Sequence, residues 1–337
     1  MVRLGKVLVT GSAGHLGEGL ARTLKVAGSE VVGVDIRKSS FTTHIGSITD
    51  CGFLRNCLRG VQSVFHTATL HKPHVVTHSR QAFIDTNVTG TLSLLEEAVA
   101  AAVEAFVFTS TTSVFGDALA PPAGAPAAWV TEDLTPVPKN IYGVTKAAAE
   151  DLCQLFHRNY RLPCIVLRTS RFFPEQDDDR EIGESYADQN LKANEYLFRR
   201  VDLEDAVSAH LLAAERAPAI GFGRYIVSAT TPFSPDELLD LRADAPRVVR
   251  RHVPQYEAEY ARRGWRMFPS IERVYVNERA RSDLGWQPQY DFKYIIDRLG
   301  SGNDLRSPLA RVIGSKGYHA AVASDGPYPV RDSLRMV

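Results

Sequence analysis

Val7-Leu8-Val9-Thr10-Gly11-Ser12-Ala13-Gly14-His15-Leu16-Gly17 is the stretch on which the fold turns. Residues 7–10 form a short apolar run, as expected of a strand buried on both faces. Leu20, Leu24 and Ala27 follow at helical spacing, so the order is strand, glycine turn, helix. In that setting Gly11 permits a tight turn, Gly14 lets backbone amides approach a diphosphate, and Gly17 lets the helix lie close to the strand. The spacing is Gly-x-x-Gly-x-x-Gly and not the commoner Gly-x-Gly-x-x-Gly.

Outward from this stretch the same unit repeats. Residues 31–34 read as a second strand, with Asp35, Ile36 and Arg37 at its end. A carboxylate at Asp35 accepts from ribose hydroxyls and repels a 2′-phosphate, which favours NAD over NADP, while Arg37 pulls the other way. Gly46-Ser47-Ile48-Thr49-Asp50 opens a helix capped by Thr49 or Asp50. A strand at 61–66 leads into Thr67-Ala68-Thr69, and a long amphipathic helix runs from about Ser79 through Asn87 to Ala101. The strand at 105–109 runs into Ser110-Thr111-Thr112-Ser113, and the Ala- and Pro-rich residues 117–139 read as a long loop. A further strand is expected at 164–167. Strands alternating with helices imply a doubly wound parallel sheet with ligand sites beyond the carboxyl ends of its strands.

Asn140-Ile141-Tyr142-Gly143-Val144-Thr145-Lys146 carries the chemistry. Good helix formers follow it, so Tyr142 and Lys146, four apart, share one helical face. A free phenol loses its proton only near pH ~10; an adjacent cation and a positive nicotinamide ring would favour the phenolate. That combination turns a tyrosine into a general acid or base.

Composition removes other classes of function. Lys plus Arg and Asp plus Glu each total 39, so no charge imbalance points to nucleic acid or an anionic membrane. The four cysteines (Cys51, Cys57, Cys153, Cys164) lack zinc or redox spacing and fit a reducing compartment. The N-terminus lacks the pattern of a signal peptide, and no apolar run is long enough for a bilayer, so a cytoplasmic protein is expected. His66, His71, His74 and His78 are irregularly spaced around Pro73, so no metal is expected there.

Beyond Arg168 the pattern changes. The acids around 177–181 read as a solvated turn, and helices are expected near 185–198 and 202–216, with Asp202 and Asp205 as cap and first-turn acid. Residues 224–228 read as a strand, and Ser234-Pro235-Asp236-Glu237 as a helix start. The tail from Gly300, with Gly317-Tyr318-His319 and Tyr328-Pro329-Val330, reads as an extended strap.

In this order the motifs resemble the extended short-chain dehydrogenase/reductases, the NAD-dependent epimerase/dehydratase group, over roughly residues 6–298. The matching pieces are Thr10 to Gly17, Asp35, His66-x-Ala68, Asn87-Val-x-Gly-Thr91, Ser110-Thr111 through Gly116, Tyr142-x-x-x-Lys146, Arg168, Val201-Asp202 with Asp205, and Leu284-Gly285-Trp286-x-Pro288. The resemblance implies a doubly wound parallel (Rossmann) sheet with a smaller α/β C-terminal substrate domain. Residues 1–168 would bind NAD and carry the Tyr/Lys helix. Residues 169–300 would mainly bind substrate, some of their strands returning to the main sheet, and 301–337 would be a C-terminal extension.

The resemblance also implies a catalytic trio. Tyr142 moves a proton to or from a substrate hydroxyl while the nicotinamide exchanges a hydride. Lys146 lowers the phenol's pKa and binds the nicotinamide ribose, and Thr111 hydrogen-bonds the reacting oxygen. The cofactor set is then Gly11, Gly14, His15, Leu16, Gly17, Asp35, Ile36, Arg37, Ser47, Ile48, Thr67, Ala68, Thr69, Asn87, Thr109, Tyr142, Lys146 and Ser170. Ser47 stands where the family has Asp, and Thr112-Ser113 where its dehydratases have Asp-Glu, so dehydration is not expected.

The implied substrate is a sugar or sugar derivative, a nucleotide-sugar or anionic sugar included, undergoing net oxidation/reduction or redox-neutral epimerisation. Arg171 replaces the Asn of many nucleotide-sugar enzymes; with His71, Lys72 and Thr112 it forms the expected substrate set, holding an anionic group. Its rival role is pairing with acids of 175–181. Apolar residues on more than one face of the helices at 82–101 and 141–159 (Leu92, Leu95, Val99; Leu152, Leu155, Phe156) suggest a partner surface, and the resemblance implies a homodimer through it. A catalytically weak NAD(P)-binding regulator is the alternative from another class; such proteins usually lack the Tyr or the Lys.

Overall fold

The computed structural model describes residues 3–175 and 180–317. The chain forms strands β1 (Lys6–Thr10), β2 (Glu30–Asp35), β3 (His44–Ile45), β4 (Ser63–His66), β5 (Ala105–Thr111), β6 (Ala128–Val130), β7 (Cys164–Thr169), β8 (Phe222–Val227) and β9 (Arg273–Tyr275). Seven of them make one parallel sheet in the order β3-β2-β1-β4-β5-β7-β8. The chain runs outward from β1 to β3 and then crosses back to β4. The strand order therefore reverses between β1 and β4, and a crevice opens there at their carboxyl ends.

Alternate residues of these strands feed two cores, because side chains along a strand point to opposite faces. Val7, Val9, Phe65, Val107, Ile165 and Leu167 pack with the helices His15–Val26 and Leu203–Ile220 on one face. Leu8, Val64, Phe106, Phe108 and Val166 pack with Gly90–Ala100 and Ile141–Tyr160 on the other. Both faces are covered, which explains why the strands are near-continuous apolar runs. A further core, including Leu197, Val249, Tyr260, Val274 and Ile295, gathers residues from the C-terminal half.

Four expectations need correction. Residues 117–139 are not all loop: Ala128–Val130 is β6, paired in parallel with β9 in a separate two-stranded sheet, a partner too distant in sequence for local pattern to reveal. The helix from Ser79 is capped by that serine, but Ile84–Thr89 forms a wider π turn between Arg80–Phe83 and Gly90–Ala100. The acidic stretch is not simply a turn, because Arg180–Ser185 is helical; Asp177 to Asp179 lie outside the described residues. The described part of the tail is not an extended strap. Ser307 caps a helix, Pro308–Ile313, whose Ala310 and Ile313 join the first core; residues beyond 317, with Tyr318-His319 and Tyr328 to Val330, lie outside the described residues.

Asp202 caps Leu203–Ile220 as expected, its side chain accepting from Glu204 N. Asp205 does more than answer the helix dipole: its carboxylate accepts from Gln289 N (2.9 Å) and Tyr290 N (2.8 Å). Trp286, fully buried, donates its indole N–H to Asp205 O and Ser208 Oγ. The Val-Asp and Gly-Trp-x-Pro motifs are thus two halves of one structural lock.

Candidate active site

A cleft of about 530 Å³ opens at the carboxyl ends of β1, β2, β4, β5 and β7, a size that suits a small ligand or cofactor. The glycine turn forms one wall. Gly11 adopts φ +69°, and a Cβ on Gly17 would stand 2.0 Å from Gly11 O, so only glycine allows the helix to leave the strand this tightly. Gly14 is the N-cap of His15–Val26 and brings no side chain to its first amides. Those amides and the helix dipole suit a diphosphate. Asp35 closes the turn against β2: it accepts from Ala13 N at 3.0 Å and Arg37 N at 2.8 Å. Ile36, 71% exposed, gives the same wall an apolar surface.

The floor is fixed by threonines. Thr10 Oγ1 accepts from the Thr67 and Ala68 amides, and Thr67 Oγ1 donates to Thr10 O at 2.7 Å, which ties the exits of β1 and β4 together. Beneath them His66 lies between Thr10 Oγ1 (2.8 Å) and Thr91 Oγ1 (3.0 Å), and burial pushes its pKa down to about 3. Thr109 contacts His210 Nε2 at 2.8 Å. Burial pushes His210 down to about 4, and its Nδ1 faces Ala206 O, so a neutral ring donates there and accepts the Thr109 hydroxyl at Nε2.

Tyr142 and Lys146 project from one helix, Ile141–Tyr160, whose N-cap Asn140 accepts from Gly143 N. Tyr142 lines the cleft with its phenol near the Thr111 side chain, whose Oγ1 accepts from Ser113 N. Lys146 lies one layer behind, with Nζ 2.6 Å from Thr109 O and 3.9 Å from the centre of the Phe108 ring. Burial pushes the phenol up to about 12, with Thr111 pulling down, and pushes Lys146 down to about 7 against the pull of Glu150. The expected lowering of the phenol by Lys146 is therefore not produced by the protein's own groups: desolvation outweighs attraction when both are buried. Behind this layer Glu150 takes a bidentate contact from Arg168 and the Ser110 hydroxyl, which fixes the helix to β5 and β7.

Of the residues expected at the site, Gly11, Gly14, His15, Leu16, Gly17, Asp35, Ile36, Arg37, Ser47, Ile48, Thr67, Ala68, Thr69, Thr109, Thr111, Tyr142 and Ser170 all line the cleft, as do His71, Lys72, Thr112 and Arg171. Asn87, like Lys146, does not. It is buried, with its amide committed to Thr69, Leu70 and Thr145, so it braces the β4 exit loop against the tyrosine helix. Arg171 pairs with the fully buried Glu195 at 3.2 Å, and Arg199 and Arg200 converge on that same carboxylate.

Sequence reasoning missed Phe172, Phe173, Glu175, Arg199, Arg273 and Tyr275, all lining the cleft. Phe173 stacks near both His15 and His71, at 5.5 Å between ring centres. Glu175 meets His15 Nε2 at 2.9 Å and accepts from Ser315 Oγ (3.0 Å) and Lys316 N (2.8 Å). Burial would raise its carboxyl, yet His15 and these donors hold it down at about 2. The only available signal was the run Arg171-Phe172-Phe173 directly after a strand end.

Comparison with known proteins identifies the family. The sequence model of the NAD dependent epimerase/dehydratase family matches residues 7–226. UDP-glucose 4-epimerase of Streptomyces lividans is 27% identical over 323 residues, covering 84% of this chain and 92% of that protein. The 3 beta-hydroxysteroid dehydrogenase/Delta 5-->4-isomerase of Mycobacterium tuberculosis (strain ATCC 25618 / H37Rv) is 26% identical over 329 residues, 85% of this chain and 87% of its own. Among solved structures, MoeE5 in complex with UDP-glucose and NAD superposes with a TM-score of 0.60 at 26% identity, over 85% of this chain and 94% of its own. With the glycine turn, Asp35 and the Tyr142/Lys146 helix placed around one cleft of a doubly wound sheet, the chain belongs to the NAD dependent epimerase/dehydratase family.

Proposed function

We propose that the protein is an NAD-dependent enzyme that moves a hydride between nicotinamide and a secondary alcohol or ketone carbon of a nucleotide-sugar or related anionic sugar. The observation that carries this reading is Tyr142 beside Thr111 on the cleft wall, with Lys146 four residues along the same helix. The uncapped amides after Gly14 and the fixed Asp35 carboxylate fit a dinucleotide's diphosphate and ribose. Bound NAD supplies the hydride acceptor and a positive ring beside the phenol. Thr111 orients the phenol and the reacting hydroxyl, and Tyr142 takes or returns the proton at that oxygen. Lys146, held behind Thr109, favours the phenolate in its protonated form once the site is filled.

Relatives act on sugars and on steroids, and the cleft favours the former. Lys72, Arg171, Arg199 and Arg273 line it, and guanidinium forks suit a phosphate or carboxylate, which a sugar nucleotide carries and a steroid lacks. Within this reading, residues 1–168 bind NAD and 169–300 mainly bind substrate, with β8 of the latter lending a strand to the shared sheet. Incubating the protein with NAD and UDP-glucose tests it: net reduced nicotinamide marks a dehydrogenase, and a second sugar epimer by NMR without it marks an epimerase. Neither signal, with UDP-glucose or UDP-glucuronic acid, overturns the assignment.

We also propose a homodimer through the helices Gly90–Ala100 and Ile141–Tyr160. Leu95 and Phe156 are committed to the protomer's own core, but Val144 and Tyr160 remain 49% and 58% exposed. Light scattering at micromolar concentration should give twice the 37.2 kDa chain mass; a monomer removes the proposal.

A further inference from the structure

Most arginines near the substrate side of the cleft are accounted for by acids. Arg171, Arg199 and Arg200 meet Glu195, and Arg242 meets Glu272. Arg273 is different. It lines the cleft, yet no carboxylate among the described residues lies within ion-pair distance, and its Nε is buried without a hydrogen-bond partner. Its one described contact is the Phe198 ring, 5.9 Å from the guanidinium carbon. That is the outer limit of a cation–π interaction. A half-buried guanidinium with an unsatisfied donor costs stability unless something completes it.

Its place in the fold shows from which side completion comes. Arg273 opens β9, paired with Ala128 of β6. Side chains two apart on a strand share a face. Val274 is fully buried in the C-terminal core, while Arg273 and Tyr275 both line the cleft. The strand thus presents a rigidly mounted planar fork to the ligand space, a better mount than a loop. Deepening the proposed function, on which it rests, we propose that Arg273 is a specificity-determining residue. Its guanidinium binds an oxyanion of the substrate, a phosphate or a carboxylate, by paired N–H donors, alongside the Glu195-anchored Arg199.

The test uses the NAD-saturated protein, so that the cofactor's own diphosphate site is filled. UDP-glucose, UDP-glucuronic acid and inorganic pyrophosphate are titrated calorimetrically into the unaltered protein, Arg273→Gln and Arg273→Lys. The expected result is a ten- to hundredfold weaker affinity in Arg273→Gln, an intermediate one in Arg273→Lys, and unchanged NAD affinity and melting temperature. Weakening of all three ligands assigns a phosphate; weakening confined to UDP-glucuronic acid assigns its carboxylate. Pyrophosphate binding that depends on Arg273, with neither sugar nucleotide bound, keeps the oxyanion site and discards the nucleotide-sugar reading. Equal affinities in all three proteins, or no binding of any of the three by the unaltered protein, overturns the proposal.

Discussion

The two sides of the cleft are built by different means. The side proposed for the cofactor is made of backbone: the Gly11–Gly17 turn, Asp35 receiving two amides, and threonines tying one strand exit to the next. The side proposed for the substrate is made of long side chains, with Arg171, Phe173, Arg199 and Arg273 carried by separate segments and partly steered by one buried carboxylate, Glu195. Backbone sites recognise what all dinucleotides share, whereas side chains can be exchanged without disturbing the sheet. The same scaffold can therefore keep its cofactor while its substrate changes.

That contrast can be broken most forcefully at its seam, where Tyr142 serves both sides. Tyr142→Phe should lower turnover by roughly 100- to 10,000-fold, the usual worth of a general acid/base, and leave NAD affinity intact. Near-normal turnover would remove the phenol from the chemistry. Arg171→Ala tests the substrate side alone. Since Arg199 and Arg200 continue to satisfy Glu195, the fold should hold while kcat/KM falls by about ten- to a hundredfold with NAD affinity unchanged. Unchanged kinetics with a lower melting temperature would make Arg171 a structural residue.

Acid sensitivity should map to the cofactor side. His66 at the end of β4 and His210 behind β5 are pushed by burial to about 3 and about 4, below the ordinary value near 6.5. A depressed histidine contributes stability that is complete above the unfolded value and is lost as pH falls toward the folded one. Asp205, raised by burial to about 7, works in the opposite sense, so a difference measurement is needed. Relative to His66→Gln, which keeps hydrogen-bonding capacity toward Thr10 and Thr91, the unaltered protein should lose about 2 kcal/mol more between pH ~6.5 and ~5. Parallel melting curves across that range would show that His66 does not titrate on unfolding. The smallest effect sharpens the cofactor side. Asp35, held by two amides, should make NAD(H) bind at least about tenfold more tightly than NADP(H), about 1.4 kcal/mol. Equal calorimetric affinities would mean that Arg37 governs the choice.

Legibility in the sequence followed the same divide. Gly11, Gly14, Gly17 and Asp35 were readable because each answers a local constraint, such as the 2.0 Å approach at Gly17. Tyr142 and Lys146 were readable from helical spacing, although Lys146's turn toward Thr109 was not, because it depends on what surrounds a buried ammonium. Asn87 showed the limit of motif reasoning: the residue is in place, but its amide is consumed by neighbours. Arg273 gave no signal, since a three-residue strand paired with distant Ala128 to Val130 has no periodicity to read. The helix at Pro308 was legible and overlooked: Ser307-Pro308 carries the same start signal as Ser234-Pro235.

The contact between Lys316 and Glu18 has a consequence for biosynthesis. The two residues stand 298 positions apart. Burial would raise the Glu18 carboxyl, and Lys316 with Arg22 brings it below its ordinary value. A ribosome delivers Glu18 and Arg22 almost together and Lys316 only 298 residues after Glu18. Through that interval Glu18 lacks one of its two cations, and the anchors of Glu175 at Ser315 and Lys316 are not yet made. The glycine turn's helix is thus made long before its contacts are complete.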